Sequence, residues 1–257
     1  MTESFTHNRI LVTGASGGLG GALAQHYARK NVTLSLWGRD RARLEAVAER
    51  CRSVGAQVDI RMLDLTDLPA ALAALEDEDA KQPFDLALLV AGRGDVKRAD
   101  EQVEDAEIVA RLAAINFAAP AAMAALLGRR MAARRHGRIV LIGSAAAFHS
   151  LPFAAAYSGS KAGLARFADA LRLGLREHGV QVTLVSPGFI DTATGRKVPG
   201  PKPMLMAPDA VAARIARAVA AGTAHIVLPW PFVALRWLDR LLPALLRDRL
   251  LLALSPP

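Results

Sequence analysis

One junction near the start of the chain limits the folds open to it. The apolar run Arg9-Ile10-Leu11-Val12-Thr13 passes into Gly14-Ala15-Ser16-Gly17-Gly18-Leu19-Gly20-Gly21, and a helical pattern follows from Ala22 to Arg29. The order is strand, glycine-rich turn, helix. Glycine lets the backbone turn sharply and approach a ligand closely, and a helix N-terminus offers unsatisfied N–H groups to a phosphate. A glycine turn alone is weak, because tight turns need no ligand. Placed between a first strand and a first helix, it points to a dinucleotide pyrophosphate.

The same alternation continues down the chain. Strands are predicted over 32–37, 57–63, 85–90, 138–144, 181–185 and 225–229, with helical patterns between them. Strands that alternate with helices, several of them apolar throughout, predict a parallel sheet covered on both faces. The expected fold class is therefore α/β, a Rossmann-type doubly wound sheet. The 257 residues suit a single domain, and a hydrophobic content of 52% against 22% charged residues supplies a large core. Within that domain, residues 189–207, rich in Gly, Pro and Lys, read as a mobile substrate lid. Residues 230–257 read as an amphipathic helical extension.

The formal charge of +8 is spread as Arg among Ala in helical stretches, and aromatic residues make up only 5%. Solvated helix faces explain that pattern, and platforms for stacking nucleic-acid bases are lacking. The single cysteine, Cys51, excludes an internal disulfide and a thiolate cluster and suits a reducing cytosol. No zinc or calcium motif occurs, so no metal is expected. Met1 to Asn8 is polar and lacks the apolar run of a signal peptide, so the expected location is cytoplasmic.

Cofactor choice is read after the second strand, where Gly38-Arg39-Asp40 follows Trp37. An acid near this strand end holds the ribose 2′-hydroxyl of NAD, whereas an Arg accommodates the 2′-phosphate of NADP. Gly38 leaves the acid position empty, Arg39 offers a cation and Ser16 a hydroxyl. NADP(H) is therefore expected over NAD(H), with Asp40 read as the N-cap of the next helix. Asp64, beside Leu65, is placed to receive an adenine amino group or to cap the helix that begins near Asp67. Ala91-Gly92 at the end of the fourth strand would let a cofactor sugar lie close.

The chemistry is carried by Tyr157-Ser158-Gly159-Ser160-Lys161. A phenol and an ammonium one helical turn apart lie on one face, and a nearby cation lowers a phenol pKa toward neutrality, fitting Tyr for proton transfer. Ser144, closing an apolar strand, can hydrogen-bond a substrate oxygen in the same pocket. Asn116 and Pro120 lie inside a long helical region, 104–135, where both are unfavourable. They mark either a local irregularity or an Asn that helps hold a water near the site.

Taken together, Thr13-Gly14-Ala15-Ser16-Gly17-Gly18-Leu19-Gly20, Asp64, Ala91-Gly92, Asn116, Ser144, Tyr157-x-x-x-Lys161, Pro187-Gly188 and Thr192 resemble the classical short-chain dehydrogenases/reductases, in order and spacing, over about residues 9–229. The resemblance implies that Tyr157 is the general acid/base and that Ser144 orients the substrate carbonyl. It implies that Lys161 lowers the Tyr pKa and binds the nicotinamide ribose, and that Asn116 completes a water-linked proton relay. The implied cofactor-binding residues are Gly14, Ser16, Gly17, Gly18, Leu19, Gly20, Arg39, Asp64, Leu65, Ala91, Gly92, Tyr157, Lys161, Pro187, Gly188, Ile190 and Thr192, with Pro187, Gly188 and Thr192 bordering the nicotinamide. A homodimer or homotetramer through the helices near 104–135 and 156–177 is also implied. One departure is Leu89-Val90, where the family commonly has Asn-Asn; the contacts those Asn side chains make are lost, and what braces the strand there is left open.

The tail from Trp230 to Leu254 carries Arg236, Asp239, Arg240 and Arg247 near one helical face, with Phe232, Leu235, Trp237, Leu238, Leu241, Leu242, Leu245 and Leu246 as apolar surface. Pro243 should break it or start a second helix. Its charges argue against a transmembrane span. Three readings stand: packing on its own subunit or a dimer mate, a peripheral membrane contact at the inner leaflet, or a cover over an apolar substrate pocket. The sequence thus predicts an NADP(H)-dependent oxidoreductase acting on a small-molecule ketone, aldehyde or alcohol of hydrophobic character. The alternatives are a 3-oxoacyl-thioester reductase of lipid metabolism and a non-catalytic dinucleotide-binding scaffold.

Overall fold

The computed structural model describes residues 7–97, 101–198 and 200–253, with the side chains of Leu235, Leu238, Asp239 and Arg240 outside that description. Leu254 and the first six residues also lie outside it. Seven parallel strands form one sheet in the order β3-β2-β1-β4-β5-β6-β7. They are β1 (Arg9–Thr13), β2 (Thr33–Gly38), β3 (Gln57–Met62), β4 (Leu86–Leu89), β5 (Gly137–Ile142), β6 (Val180–Pro187) and β7 (His225–Leu228). The order reverses between β1 and β4, and such a switch point opens a crevice at the carboxyl ends of the strands.

Both faces of the sheet are covered, which is why β1, β4 and β5 are buried along their whole length. Side chains alternate across the sheet. Ile10 and Val12 pack on one side with Leu23, Val47 and Ile215, from α1 (Gly18–Tyr27), α2 (Arg41–Ser53) and α8 (Pro208–Ala220). Leu11 packs on the other with Leu75, Leu127 and Leu164, from α3 (Leu68–Lys81), α5 (Ala119–Ala133) and α6 (Ala155–Leu175).

The helical region predicted over 104–135 is not one regular helix. α4 (Ala106–Ala113) passes through a π turn, Ala114–Ala118, into α5, with Pro120 in the first turn of α5. Proline is tolerated there because first-turn N–H groups have no helical acceptor. Ala106–Ala133 is long and apolar enough to cross a membrane, yet Met123, Leu127 and Met131 of this stretch lie in the core. Asp40 caps α2 by accepting from the Arg43 N–H, as the sequence predicts. Asp67 caps α3 by accepting from the Ala70 N–H; Asp64 has no part in that cap.

The α3–α5 side is tied by a buried charge cluster that sequence reading did not anticipate. Asp79, fully inaccessible, accepts from Phe84 N–H at 2.9 Å and pairs with Arg134 at 3.1 Å and with Arg130. Burial alone would raise the Asp79 pKa, but the Arg130, Phe84 and Arg134 hydrogen bonds hold it below the ordinary carboxylate range. Its stabilisation is therefore present above the unfolded-state pKa and lost as pH falls through the lower folded value. Asp79→Ala leaves two guanidinium groups without their carboxylate and should cost about 3–5 kcal/mol. Urea unfolding at neutral pH checks this, with an expected fall in the midpoint at unchanged slope.

Candidate active site

The crevice is built from the first turn outward. Gly14 has φ +67°, a region that favours glycine, and a Cβ there would lie 2.9 Å from the Ala91 Cα. Helix α1 begins at Gly18, earlier than the predicted Ala22, so Gly18, Gly20 and Gly21 lie inside its first turn. The early start depends on their small size: a Cβ on Gly20 would meet the Gly14 carbonyl oxygen at 2.2 Å. The N-cap, Gly17, supplies no side-chain acceptor, so the α1 N–H groups and dipole are free to face an anion. A Cβ on Gly18 would strike the Thr192 methyl at 2.6 Å, which sets Thr192 directly on the glycine turn. These close approaches leave backbone lining the crevice, as a dinucleotide pyrophosphate requires. Leu19 and Leu65 send their side chains into the core.

At the β2 end, Ser16 Oγ lies 2.9 Å from where a Cβ on Gly38 would stand. Arg39 is exposed and pairs with Asp64 at 3.1 Å. Asp64 also accepts from the Thr66 N–H and hydroxyl. The Thr66 N–H, with help from the Thr66 hydroxyl and Arg39, holds the Asp64 carboxyl below its ordinary value. Arg43 lines one cleft with Ser16, Gly17 and Gly18. Sequence reading passed over Arg43, although its place one helical turn after Arg39 was a readable signal.

The open question of what braces the strand end at Leu89-Val90 is answered by β1. The Thr13 hydroxyl accepts from the N–H groups of Val90 at 3.0 Å and Ala91 at 3.2 Å, tying the end of β1 to the end of β4. The strand end is held by a hydroxyl from its neighbour.

Beyond β4, the π turn presents Asn116 inward, fully buried. Its Oδ1 accepts from the Arg93 N–H at 2.8 Å, and its Nδ2 donates to the Arg93 carbonyl at 2.8 Å. Nδ2 also donates to Ser160 Oγ at 3.3 Å, and Ser160 donates to the Tyr157 carbonyl. The predicted irregularity is this π turn, whose extra residue swings Asn116 toward α6. Gly92 lies between, its missing Cβ 3.0 Å from Asn116 Oδ1 and 3.1 Å from Lys161 Nζ.

Ser144 closes β5 and caps the short 3₁₀ turn Ala145–Phe148, accepting from the Ala146 N–H. Tyr157 and Lys161 stand one turn apart on α6, and Ser144 is near enough to Tyr157 to act on its phenol. Lys161, 4% exposed, donates to the Ile142 carbonyl at 2.8 Å. Burial pushes the Tyr157 phenol above its ordinary range while the Ser144 hydroxyl pulls it back. The expected lowering by Lys161 is not what the protein's own groups produce: burial sets the direction at Tyr157, and burial lowers Lys161 itself to about 8. The arrangement holds a protonated phenol, a serine hydroxyl and a lysine along one wall, able to hydrogen-bond a carbonyl oxygen and give it a proton.

Across the crevice, β6 ends at Pro187 and the Gly188 N–H donates to the Leu228 carbonyl. Ile190 bridges Met206, and Thr192 caps α7 (Ala193–Lys197) through the Gly195 N–H. Close approaches link several of the predicted residues: Ser16 with Gly38, Gly18 with Thr192, Gly14 with Ala91, and Gly92 with Asn116 and Lys161. Among the described residues, no group of three His, Cys, Asp or Glu side chains is placed to hold a metal.

This is the architecture of an oxidoreductase that uses a nicotinamide dinucleotide. The family model for short chain dehydrogenase matches residues 8–201. An uncharacterized oxidoreductase of Myxococcus xanthus is 32% identical over 244 residues, covering 95% of this chain and 96% of the relative. A short-chain dehydrogenase from Sphingobium yanoikuyae in complex with NADPH superposes with a TM-score of 0.78 at 28% identity, covering 90% of this chain and 91% of that one. A bulky-bulky ketone specific alcohol dehydrogenase from Comamonas testosteroni superposes with a TM-score of 0.77 at 25% identity, covering 96% and 95%. The chain belongs to the short-chain dehydrogenase family.

Lys161 carries a pH dependence with a definite sign. Its folded pKa near 8 lies below the ordinary 10.5, so burying the ammonium costs stability in full below pH 8. Between pH 8 and 10.5 the unfolded chain binds the extra proton and the penalty fades. Relative to Lys161→Met, the wild type should gain about 3 kcal/mol across that interval. Paired urea melts of the two proteins at pH 7.5 and 10.5, in the absence of cofactor, measure the change.

Proposed function

We propose that this protein is an NADP(H)-dependent carbonyl reductase that acts reversibly on a hydrophobic ketone, aldehyde or secondary alcohol. The observation that carries the reading is buried Lys161 one turn from Tyr157 on α6, held to the end of β5 beside Ser144, with Asn116 linked through Ser160 to the same turn. Bound in the crevice, the nicotinamide supplies the hydride that goes to the carbonyl carbon. The α1 N-terminus, Gly14, Gly18 and Gly20 would hold its pyrophosphate, and Gly92, Lys161, Pro187, Gly188, Ile190 and Thr192 its nicotinamide end. Ser16, Arg39 and Arg43 would take the adenosine 2′-phosphate, with Asp64 and Leu65 beside the adenine.

Tyr157 gives its phenolic proton to the carbonyl oxygen as negative charge develops there, and Ser144 donates to the same oxygen. A phenol kept protonated by burial suits the reductive direction at neutral pH. Asn116 and Lys161 line the route by which a proton returns to Tyr157. Residues 189–207 cover the substrate as a lid. The apolar lid and tail support a hydrophobic substrate, as does the bulky-ketone alcohol dehydrogenase among the structural relatives. The intact site argues against a scaffold without turnover, and a panel holding both simple ketones and acyl thioesters separates the carbonyl reductase from a thioester reductase. We further propose a homodimer or homotetramer through α4–α5 and α6, which expose Val109, Phe117 and Leu173. A reducing cytoplasmic setting suits the free, buried Cys51.

Two variants test the reading. Tyr157→Phe should lower kcat by about 10²–10⁴-fold and leave NADPH binding intact; a turnover assay paired with a fluorescence titration reports both. Arg39→Ala should weaken NADPH by roughly tenfold or more and leave NADH unchanged, because one charge-assisted contact to the phosphate is lost. Calorimetric titration of both cofactors into wild type and variant is the check, and equal NADH and NADPH affinity in the wild type would overturn the assignment.

A further inference from the structure

The tail folds as two helices, α9 (Phe232–Leu241) and α10 (Ala244–Ala253), with Pro243 between them as the sequence predicts. Its inner side packs on its own subunit beside the active site. Phe232 is buried, and its ring lies 2.7 Å from where a Cβ on Gly188 would be. Arg236, one turn on, sits over the Phe148 ring at 5.6 Å, at the end of the 3₁₀ turn that Ser144 caps. α9 is therefore clamped to both walls of the crevice: the segment proposed to border the nicotinamide and the turn that carries Ser144.

Its outer side is of another kind. Eight of the sixteen large apolar side chains exposed among the described residues fall between Trp230 and Leu252. On α9, Val233, Trp237 and Leu241 follow one another at four-residue spacing along one face. On α10, Leu245 and Leu252 are 79% and 63% exposed, while Leu251 is buried. Exposed leucines in this number, with only Leu251 buried, call for a further apolar phase. Of the charges described on this segment, Arg236 lies inward over Phe148 and Arg247 pairs with Asp248, which leaves Arg249 exposed among the leucines, in a chain of net charge +8. A contact with a second copy would bring two chains of like net charge together. An anionic bilayer surface matches both halves of the composition, with Trp at the interface and Arg at the headgroups.

We propose that the outer face of α9–α10 docks on an anionic lipid bilayer, and that the enzyme draws a bilayer-dissolved, lipophilic carbonyl substrate from it. The docking part rests on the tail alone; the substrate part rests on the carbonyl-reductase reading. Because α9 is clamped to Gly188 and Phe148, docking holds the crevice at a fixed distance from the membrane.

The test uses the full chain and vesicles of phosphatidylcholine, with and without one-third phosphatidylglycerol. Wild type should co-sediment with the phosphatidylglycerol vesicles and be released by high salt. A Trp237→Glu/Leu245→Glu/Leu252→Glu variant changes only exposed side chains, and its partition should fall at least about tenfold. NADPH binding and turnover of a water-soluble ketone by that variant should match wild type, while turnover of a vesicle-dissolved long-chain ketone should fall with binding. Failure of folded wild type to bind phosphatidylglycerol vesicles overturns the proposal. Conversion of a larger oligomer to a smaller one by the triple substitution, with vesicle binding unchanged, overturns it in favour of a second copy. Loss of water-soluble turnover in wild type would sink the carbonyl-reductase reading and leave the docking result standing.

Discussion

The contact on which the rest depends is the approach of α1 to the turn that precedes it. With the Gly14 carbonyl 2.2 Å from a notional Gly20 Cβ, α1 can sit against the end of β1 only if that position carries no side chain. Three consequences follow from this single steric fact. The N-terminus of α1 is aimed into the crevice at the sheet's switch point, the Gly14 backbone reaches Ala91 at the end of β4, and Gly18 leaves room for Thr192 to arrive from beyond β6. A helix N-terminus, a strand end and the segment beyond β6 are brought to one place by the absence of side chains.

The chemical half of the site rests on bonds between residues far apart in the chain. Asn116 pairs with the Arg93 backbone, Lys161 with Ile142, and Thr13 with Val90 and Ala91. Each ends on backbone at or just past a strand end, so the side chains are fixed relative to the sheet and not to mobile surface. Such preorganisation is what differential stabilisation of a reacting carbonyl requires. It also explains how the chain tolerates Leu89-Val90 in the fourth strand: the hydrogen-bonding work is moved to a hydroxyl on β1. The same sheet is secured elsewhere by buried charge. Asp79 binds α3 to α5, and Glu78 accepts from Ser35 and pairs with Arg61 across β2 and β3.

The tail joins the site to the outer surface. Phe232 and Arg236 serve packing, while Trp230, Leu245 and Leu252 are largely exposed. Of the three sequence readings of this segment, packing on its own subunit is the one that Phe232 and Arg236 display.

What the sequence determined by itself is local in origin. Hydrophobic runs and turn residues fixed the alternation of strands and helices. The glycine spacing marked the crevice, and the four-residue spacing of Tyr157 and Lys161 put both on one face, because helical periodicity depends only on near neighbours. The tertiary structure decided what depends on distant partners and on desolvation. It made the Asn116 irregularity a π turn whose amide is held by Arg93, it supplied Thr13 as the brace that Leu89-Val90 lack, and it paired Arg39 with Asp64. It also set the direction of the Tyr157 shift. A nearby Lys predicts a lowered phenol, but the cost of burying a charge is a property of the folded surroundings, and here it prevails.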